Sequence, residues 1–184
     1  MLTYSISEQL VGILRQTRPV SALQAQVAQL FEESREDVYR YLLTLGLDPA
    51  RAQEAVQEVF LRLYATLRKG EEIQNPRAWI FRVAHNLGLK VRTRQHSEQP
   101  FDPEIAGSYA RQLETPESEL LERERMERFH GAVRGLSEQQ RRCLFLRMEG
   151  LRYPEIGSVL GISASSVGEF LRRAMLRLKK VRDE

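Results

Sequence analysis

The sequence predicts an all-α protein built from two small helical domains, and three observations carry that prediction. Apolar residues recur at helical spacing almost throughout the 184 residues, and no convincing alternating strand pattern appears. The periodicity lapses between Gln95 and Thr115, where "QPFDPEIAGSY" holds two prolines and a glycine, the composition of a flexible linker. Charge also falls in blocks. From Pro76 to His96 the charged residues are Arg77, Arg82, Lys90, Arg92 and Arg94 with no acid among them; Glu98 to Glu127 is dominated by Glu and Asp; after Arg134 the balance is basic again. The net charge of +3 is mild, but two basic blocks around an acidic one predict two surfaces that face a polyanion.

Each helix has its own start and stop signals. Ser5 and Glu8 frame a capping box for a short helix carrying Leu10, Ile13 and Leu14, ended before Pro19. A long helix follows from about Ala22 to Leu45, with Val27, Leu30, Phe31, Val38, Leu42 and Leu45 along one face. In "GLDPA", Gly46 suits a helix end, Asp48 an N-cap and Pro49 a first helical turn. The next helix, Ala50 to Arg68, places Ala52, Val56, Val59, Phe60 and Leu63 on one side. After a polar loop through Gly70, Asn75 caps a helix opened by Pro76 that continues to about Arg94. Beyond the linker, Thr115 and Pro116 start a helix with Leu120, Leu121, Met126, Phe129 and Val133 as its buried stripe. Ser137 and Gln140 form a second capping box before "RRCLFLRMEG".

The last fifty residues contain the parts of a helix-turn-helix. Ile156, Val159 and Leu160 face inward, Gly161 makes the turn, and Ile162 plugs the angle. Val167, Leu171, Ala174 and Leu178 line the packing face of the second helix, from about Ser165 to Val181, with Ser163 or Ser165 as its cap. Ser165, Ser166, Glu169, Arg172, Arg173 and Arg177 point outward and are the candidate contacts to DNA. Gly168 and Glu169 are unexpected there, since glycine offers no contact and a carboxylate repels phosphate unless it accepts from a cytosine amino group. A plain helical hairpin with a solvated basic face is the alternative.

Other function classes find little support. His85, His96 and His130 are scattered, with no metal-ligand spacing, no phosphate loop and no nucleophile beside a base, so no enzyme, metal or cofactor is expected. His85 reads as a surface or DNA-proximal residue and the other two as solvent-exposed. The single cysteine, Cys143, excludes an intrachain disulfide and reads as a core thiol within "CLFL". Glu8 and the short apolar stretch at the start argue against a secretory signal, and no run is long enough to span a bilayer. A cytoplasmic protein without membrane insertion is expected.

"QEVFLRLY" (57 to 64), "NPRAWIFRVAHN" (75 to 86) and "LSEQQRRCLFLRMEGLRYPEIGSVLGIS" (136 to 163), in that order, resemble a bacterial RNA polymerase sigma factor of the extracytoplasmic-function (ECF) group. The resemblance covers roughly residues 25 to 181. It implies an N-terminal extension (1–24), sigma region two (25–95), a linker (96–115) and sigma region four (116–184). It also implies that region two docks on core RNA polymerase and opens promoter DNA at the minus-ten element, while region four reads the minus-thirty-five element. The core-binding segment then maps onto Ala52 to Leu61, with Glu54, Gln57, Glu58, Phe60 and Leu61 as contacts. The minus-ten helix maps onto Trp79 to Arg94, with Trp79, Arg82, Asn86, Lys90, Arg92 and Arg94 as contacts.

Residue chemistry supports that map independently. Trp79, Phe81 and Val83 cannot all face one core, and melted bases need stacking surfaces flanked by cations. A large aromatic at helical spacing is nonetheless more often core than contact, which makes the polar residues the better candidates. The chain departs from the family where an acidic tetrad is common (Arg51, Ala52, Gln53, Glu54), at Lys90 and Thr93, and at Gly168, Glu169 and Phe170. None of these touches a packing stripe. They imply altered promoter choice, or a sigma-like decoy that captures an anti-sigma factor. A stand-alone helix-turn-helix regulator is the third reading and leaves the N-terminal half unexplained. The expected partners are therefore core RNA polymerase, promoter DNA and an anti-sigma factor.

Overall fold

The computed structural model of the chain describes residues 22–98 and 131–183, which divide between Thr93 and Arg94 into two compact units. Among the described residues all regular structure is helical. The capping box at Ser5 and Glu8, its stripe at Leu10, Ile13 and Leu14, most of the linker, the helix start at Thr115 and Pro116, the stripe at Leu120, Leu121, Met126 and Phe129, and the side chains of His96 and His130 lie outside them.

The first unit holds α1 (Ala22–Thr44), α2 (Pro49–Arg68) and, up to Thr93, α3 (Pro76–Glu98). The expected punctuation is present. The Asp48 carboxylate accepts from the Arg51 amide at 2.9 Å with Pro49 in the first turn, and the Asn75 side-chain oxygen accepts from the Ala78 amide at 3.0 Å. Helix α3 runs four residues past the expected Arg94. Residues 95–98 lack apolar periodicity but contain no breaker, and Pro100 is the first residue that cannot continue a helix.

Packing of α1 uses two residues that its apolar pattern did not reveal. Ser34 and Tyr41 are buried with Val27, Phe31, Val38 and Leu42, while Leu30 is only half-buried. Phe31 meets Phe60 of α2 edge to face at 5.0 Å, and Tyr41 meets Phe81 of α3 in the same way at 5.6 Å. Such pairs add about 0.5–1.5 kcal/mol beyond burial. The expectation for His85 is corrected here: it is 5% exposed, and its Nδ1 lies 2.9 Å from the Tyr41 hydroxyl. His85 stands four residues after Phe81 and so shares the inner face of α3, and Tyr41, distant in sequence, supplies the partner that makes a buried imidazole tolerable.

Gly88 sets how closely α3 approaches α1. A Cβ there would stand 2.7 Å from Leu45 Cδ1 and 2.9 Å from Leu42 Cδ2, both in the sealed core. Gly88→Ala is therefore expected to destabilise this unit by about 1–3 kcal/mol through overpacking. The only tryptophan, Trp79, lies in the same helix, so the urea midpoint of its fluorescence should fall; an unchanged midpoint would contradict the packing described.

The second unit is a helical stretch at residues 131–134, then α4 (Glu138–Met148), α5 (Tyr153–Leu160) and α6 (Ala164–Asp183). The Ser137 capping box is formed in both directions, with the Gln140 amide donating to Ser137 Oγ at 3.2 Å and the Ser137 amide donating to Gln140 Oε1 at 2.9 Å. Cys143 is buried among these helices, and burial pushes its thiol up to about 11, as befits a packing residue.

Candidate nucleic-acid and polymerase-binding surfaces

Helix α3 has two unlike faces. Ile80, Phe81, Ala84, His85 and Gly88 are buried, whereas Arg82, Asn86, Lys90 and Arg94, each four residues from the last, are exposed. Trp79 and Val83 are half-buried along the border between the faces. A large aromatic edge therefore sits beside a cationic and amide stripe, the arrangement that single-strand binders use for stacking and phosphate neutralisation.

Several cations of this block are committed to the fold instead. Arg77 Nη2 donates to Asp37 Oδ2 at 2.8 Å, its Nη1 reaches Ser34 Oγ at 3.4 Å, and its guanidinium lies over the Phe81 ring. Arg92 Nη1 donates to the Leu45 carbonyl at 3.3 Å and so closes the end of α1. Of the α3 residues expected to touch DNA, Arg92 is thus a brace as well. Arg82 and Lys90 have no acid beside them among the described residues.

On α2 the expected polymerase contacts separate by burial. Phe60 is 2% exposed against Phe31, so its part is to hold the helix, and its ring offers no surface to a partner. Glu54 and Leu61 are exposed, with Gln57 and Glu58 half-buried. Leu61 at 53% is conspicuous for a large aliphatic residue, and Glu58 accepts from Arg62 at 2.7 Å. An exposed leucine ringed by polar and acidic groups is suited to a protein partner.

In the second unit α5, its turn and α6 form the expected helix-turn-helix. Gly161 takes a left-handed conformation (φ 68°), Ile156 and Val159 are buried, and Val167, Leu171 and Ala174 make the inner face of α6. The cap is Ser163, whose Oγ accepts from the Ser166 amide at 3.1 Å and also touches the Ser165 and Ser166 hydroxyls. Gly157 was not expected to matter, yet a Cβ there would stand 2.6 Å from the Ile162 carbonyl oxygen. A lone small residue inside a short apolar helix is the only sequence signal for that contact. Gly168 has no such constraint: a Cβ there would meet the Tyr153 ring at an ordinary 3.5 Å, and nothing in the packing requires glycine.

Most arginines before α6 are internal braces. Arg141 donates to the Arg134 and Leu136 carbonyls, Arg142 to Glu138, Arg147 to the Leu151 carbonyl, and Arg152 to Glu155. The basic block after Arg134 is therefore a weaker polyanion surface than its composition implied. On α6 itself, Glu169 binds both neighbours: Arg172 donates to it twice at 2.9 Å, and Arg173 Nε donates to its Oε1 at 2.6 Å. The hydrogen bonds from Arg172 and then Arg173 pull the Glu169 carboxyl down to about 2. A depressed carboxyl holds its clamp fully above the ordinary 4.5 and loses it only as pH falls through about 2, so Glu169 is charged at neutral pH. The Arg177 guanidinium occupies the space beside Gly135, and the exposed Lys179 and Lys180, absent from the sequence expectation, extend the cationic end of α6.

Two family models match these units: sigma-70 region 2 over residues 30–98 and sigma-70 region 4 over residues 126–178. Among curated relatives, the ECF RNA polymerase sigma factor SigM of Bacillus subtilis is 26% identical over 155 residues, covering 83% of this chain and 93% of that protein. The ECF RNA polymerase sigma factor EcfG of Rhodopseudomonas palustris is 27% identical, covering 75% of each. Two solved structures share the fold: the sigma factor RpoE of Bartonella quintana in complex with the anti-sigma factor NepR (22% identity, 85% of this chain and 96% of that one, TM-score 0.61), and CnrH in complex with the cytosolic domain of CnrY (20% identity, 87% and 89%, TM-score 0.57). The chain belongs to the sigma-70 family. Within it, the chain is a sigma factor of the ECF group, a protein that directs transcription initiation.

The turn between α5 and α6 leaves no room for one methyl group. Gly157→Ala should loosen the second unit by about 1–3 kcal/mol, because the obstacle is backbone that cannot rotate away. Hydrogen exchange is expected to accelerate in α5 and α6 while α1 to α3 keep their protection. Equal protection in wild type and variant would contradict the close approach.

Proposed function

We propose that this chain binds core RNA polymerase through α2 and places α3 against the melted minus-ten region and α6 against duplex DNA of the minus-thirty-five element. The observation that carries the reading is the division of α3, with a sealed face against α1 and an exposed stripe of Arg82, Asn86, Lys90 and Arg94 beside Trp79. Asn86 has the chemistry to read a base edge, and the cations neutralise phosphate. On α2, Leu61, Gln57, Glu54 and Glu58 form the polymerase contact, with Phe60 beneath them. On α6, Ser165, Ser166, Glu169, Arg172, Arg173 and Arg177 face the duplex. Region two comprises residues 25–95 and region four residues 116–184, joined by the linker at 96–115. The protein supplies no chemistry of its own and works in the cytoplasm; among its described residues no helix is long and apolar enough to cross a membrane.

An anti-sigma factor is proposed as a further partner, because the Bartonella relative of the same fold was solved with one. Arg51 and Gln53, where acids are common in the family, favour a weaker hold on polymerase, whereas Ala52 is fully buried in the packing stripe of α2; the decoy reading rests on the altered tetrad together with the altered recognition helix.

Run-off transcription with core polymerase on a pool of genomic promoter fragments tests the proposal, with discrete transcripts expected only when the protein is added. Absence of transcripts together with absence of a stable core complex would transfer support to the decoy. In the holoenzyme, Arg82→Ala combined with Lys90→Ala should lower promoter affinity and reduce the slope of log affinity against log salt by about 1–2. An unchanged slope would remove both side chains from the phosphate contact.

A further inference from the structure

We propose that Glu169 is a base-reading residue that selects a cytosine in the upstream duplex, and that Arg172 and Arg173 are the positioning residues that hold its carboxylate for that task. The inference rests on the sigma reading above and adds the base that α6 selects.

A carboxylate on a surface that faces phosphate is unfavourable unless it is neutralised and put to use. Here two guanidinium charges oppose one carboxylate, so the trio keeps one net positive charge and remains compatible with DNA. The three donors are specific. Arg172 Nε donates to Oε2, while Arg172 Nη2 and Arg173 Nε both donate to Oε1. An ionised carboxylate offers about four lone-pair sites, so one acceptor site remains, on Oε2. The side chain is 41% exposed on the outer face of α6, two turns from the Ser163 cap, and it can meet an incoming donor without rearrangement. Fixing the carboxylate in advance by a forked guanidinium reduces the ordering cost of reading.

What such an acceptor selects follows from the edges of the bases. In the major groove cytosine presents an amino donor and no acceptor, whereas guanine and thymine present acceptors that a carboxylate repels. Adenine has an amino donor but sets N7 beside it, which opposes the same carboxylate. Cytosine is therefore preferred, adenine tolerated less, and guanine and thymine rejected.

The test uses the full chain with core polymerase on a promoter library randomised in the upstream duplex, with the transcripts sequenced. Wild-type holoenzyme should enrich cytosine about tenfold or more at one upstream position. Glu169→Ala should flatten that position and leave the others unchanged, and Arg172→Ala should broaden the same position. Glu169→Gln should shift it towards adenine, because an amide both donates and accepts, as adenine requires. A merely structural clamp would alter activity without changing base preference. If Glu169→Ala and Glu169→Gln keep the wild-type preference at every position, or no cytosine is enriched, the proposal fails while the sigma reading stands. If the wild-type holoenzyme gives no transcripts from the library, both fall together.

Discussion

The first unit depends on the fit of one helix face against α1. Helix α3 meets α1 through the Tyr41 and His85 hydrogen bond, the Tyr41 and Phe81 rings, the Arg77 and Asp37 ion pair, and the bare backbone of Gly88. Each contact is unlike the others, which pins the rotation of the helix about its own axis. Loss of the buried Tyr41 and His85 hydrogen bond would cost about 1–3 kcal/mol. Once the rotation is set, Arg82, Asn86 and Lys90 have no direction but outward. The exposed polar face is in this sense a by-product of a demanding core.

The second unit reaches the same end by another route. Its helices before α6 are short, and backbone-directed arginines stitch them together: Arg141 closes the helix before α4, and Arg147 closes the turn after it. Cations that composition would assign to DNA are used to satisfy carbonyls at helix ends. What remains exposed is concentrated on α6, where Glu169 holds Arg172 and Arg173. A basic block is thus a poor guide to a basic surface when many of its members have carbonyl or carboxylate partners nearby in sequence.

Much of the architecture was legible beforehand for local reasons. Caps at Asp48, Asn75 and Ser137, the turn at Gly161 and the α6 stripe of Val167, Leu171 and Ala174 are set by residues within four positions of each other and form as expected, while Leu178, the last member of that stripe, is only half-buried. What escaped was long-range. The Tyr41 partner of His85 lies 44 residues away, and the Asp37 partner of Arg77 lies 40 away, so neither pairing could be inferred from spacing along one helix. Gly88 and Gly157 look permissive in sequence and prove restrictive only when the atoms facing them are known. Phe60 illustrates the remaining difficulty, since a residue that matches a family's contact segment can serve that contact from beneath.

Permanganate footprinting of a promoter with core polymerase and this protein tests most directly whether the sealed inner face of α3 aims its outer face at melted promoter DNA. Reactive thymines are expected upstream of the start site with wild-type protein, and are expected to be lost when Asn86→Ala and Arg82→Ala are combined while the core complex persists. Undiminished thymine reactivity in that variant would contradict that placement of α3.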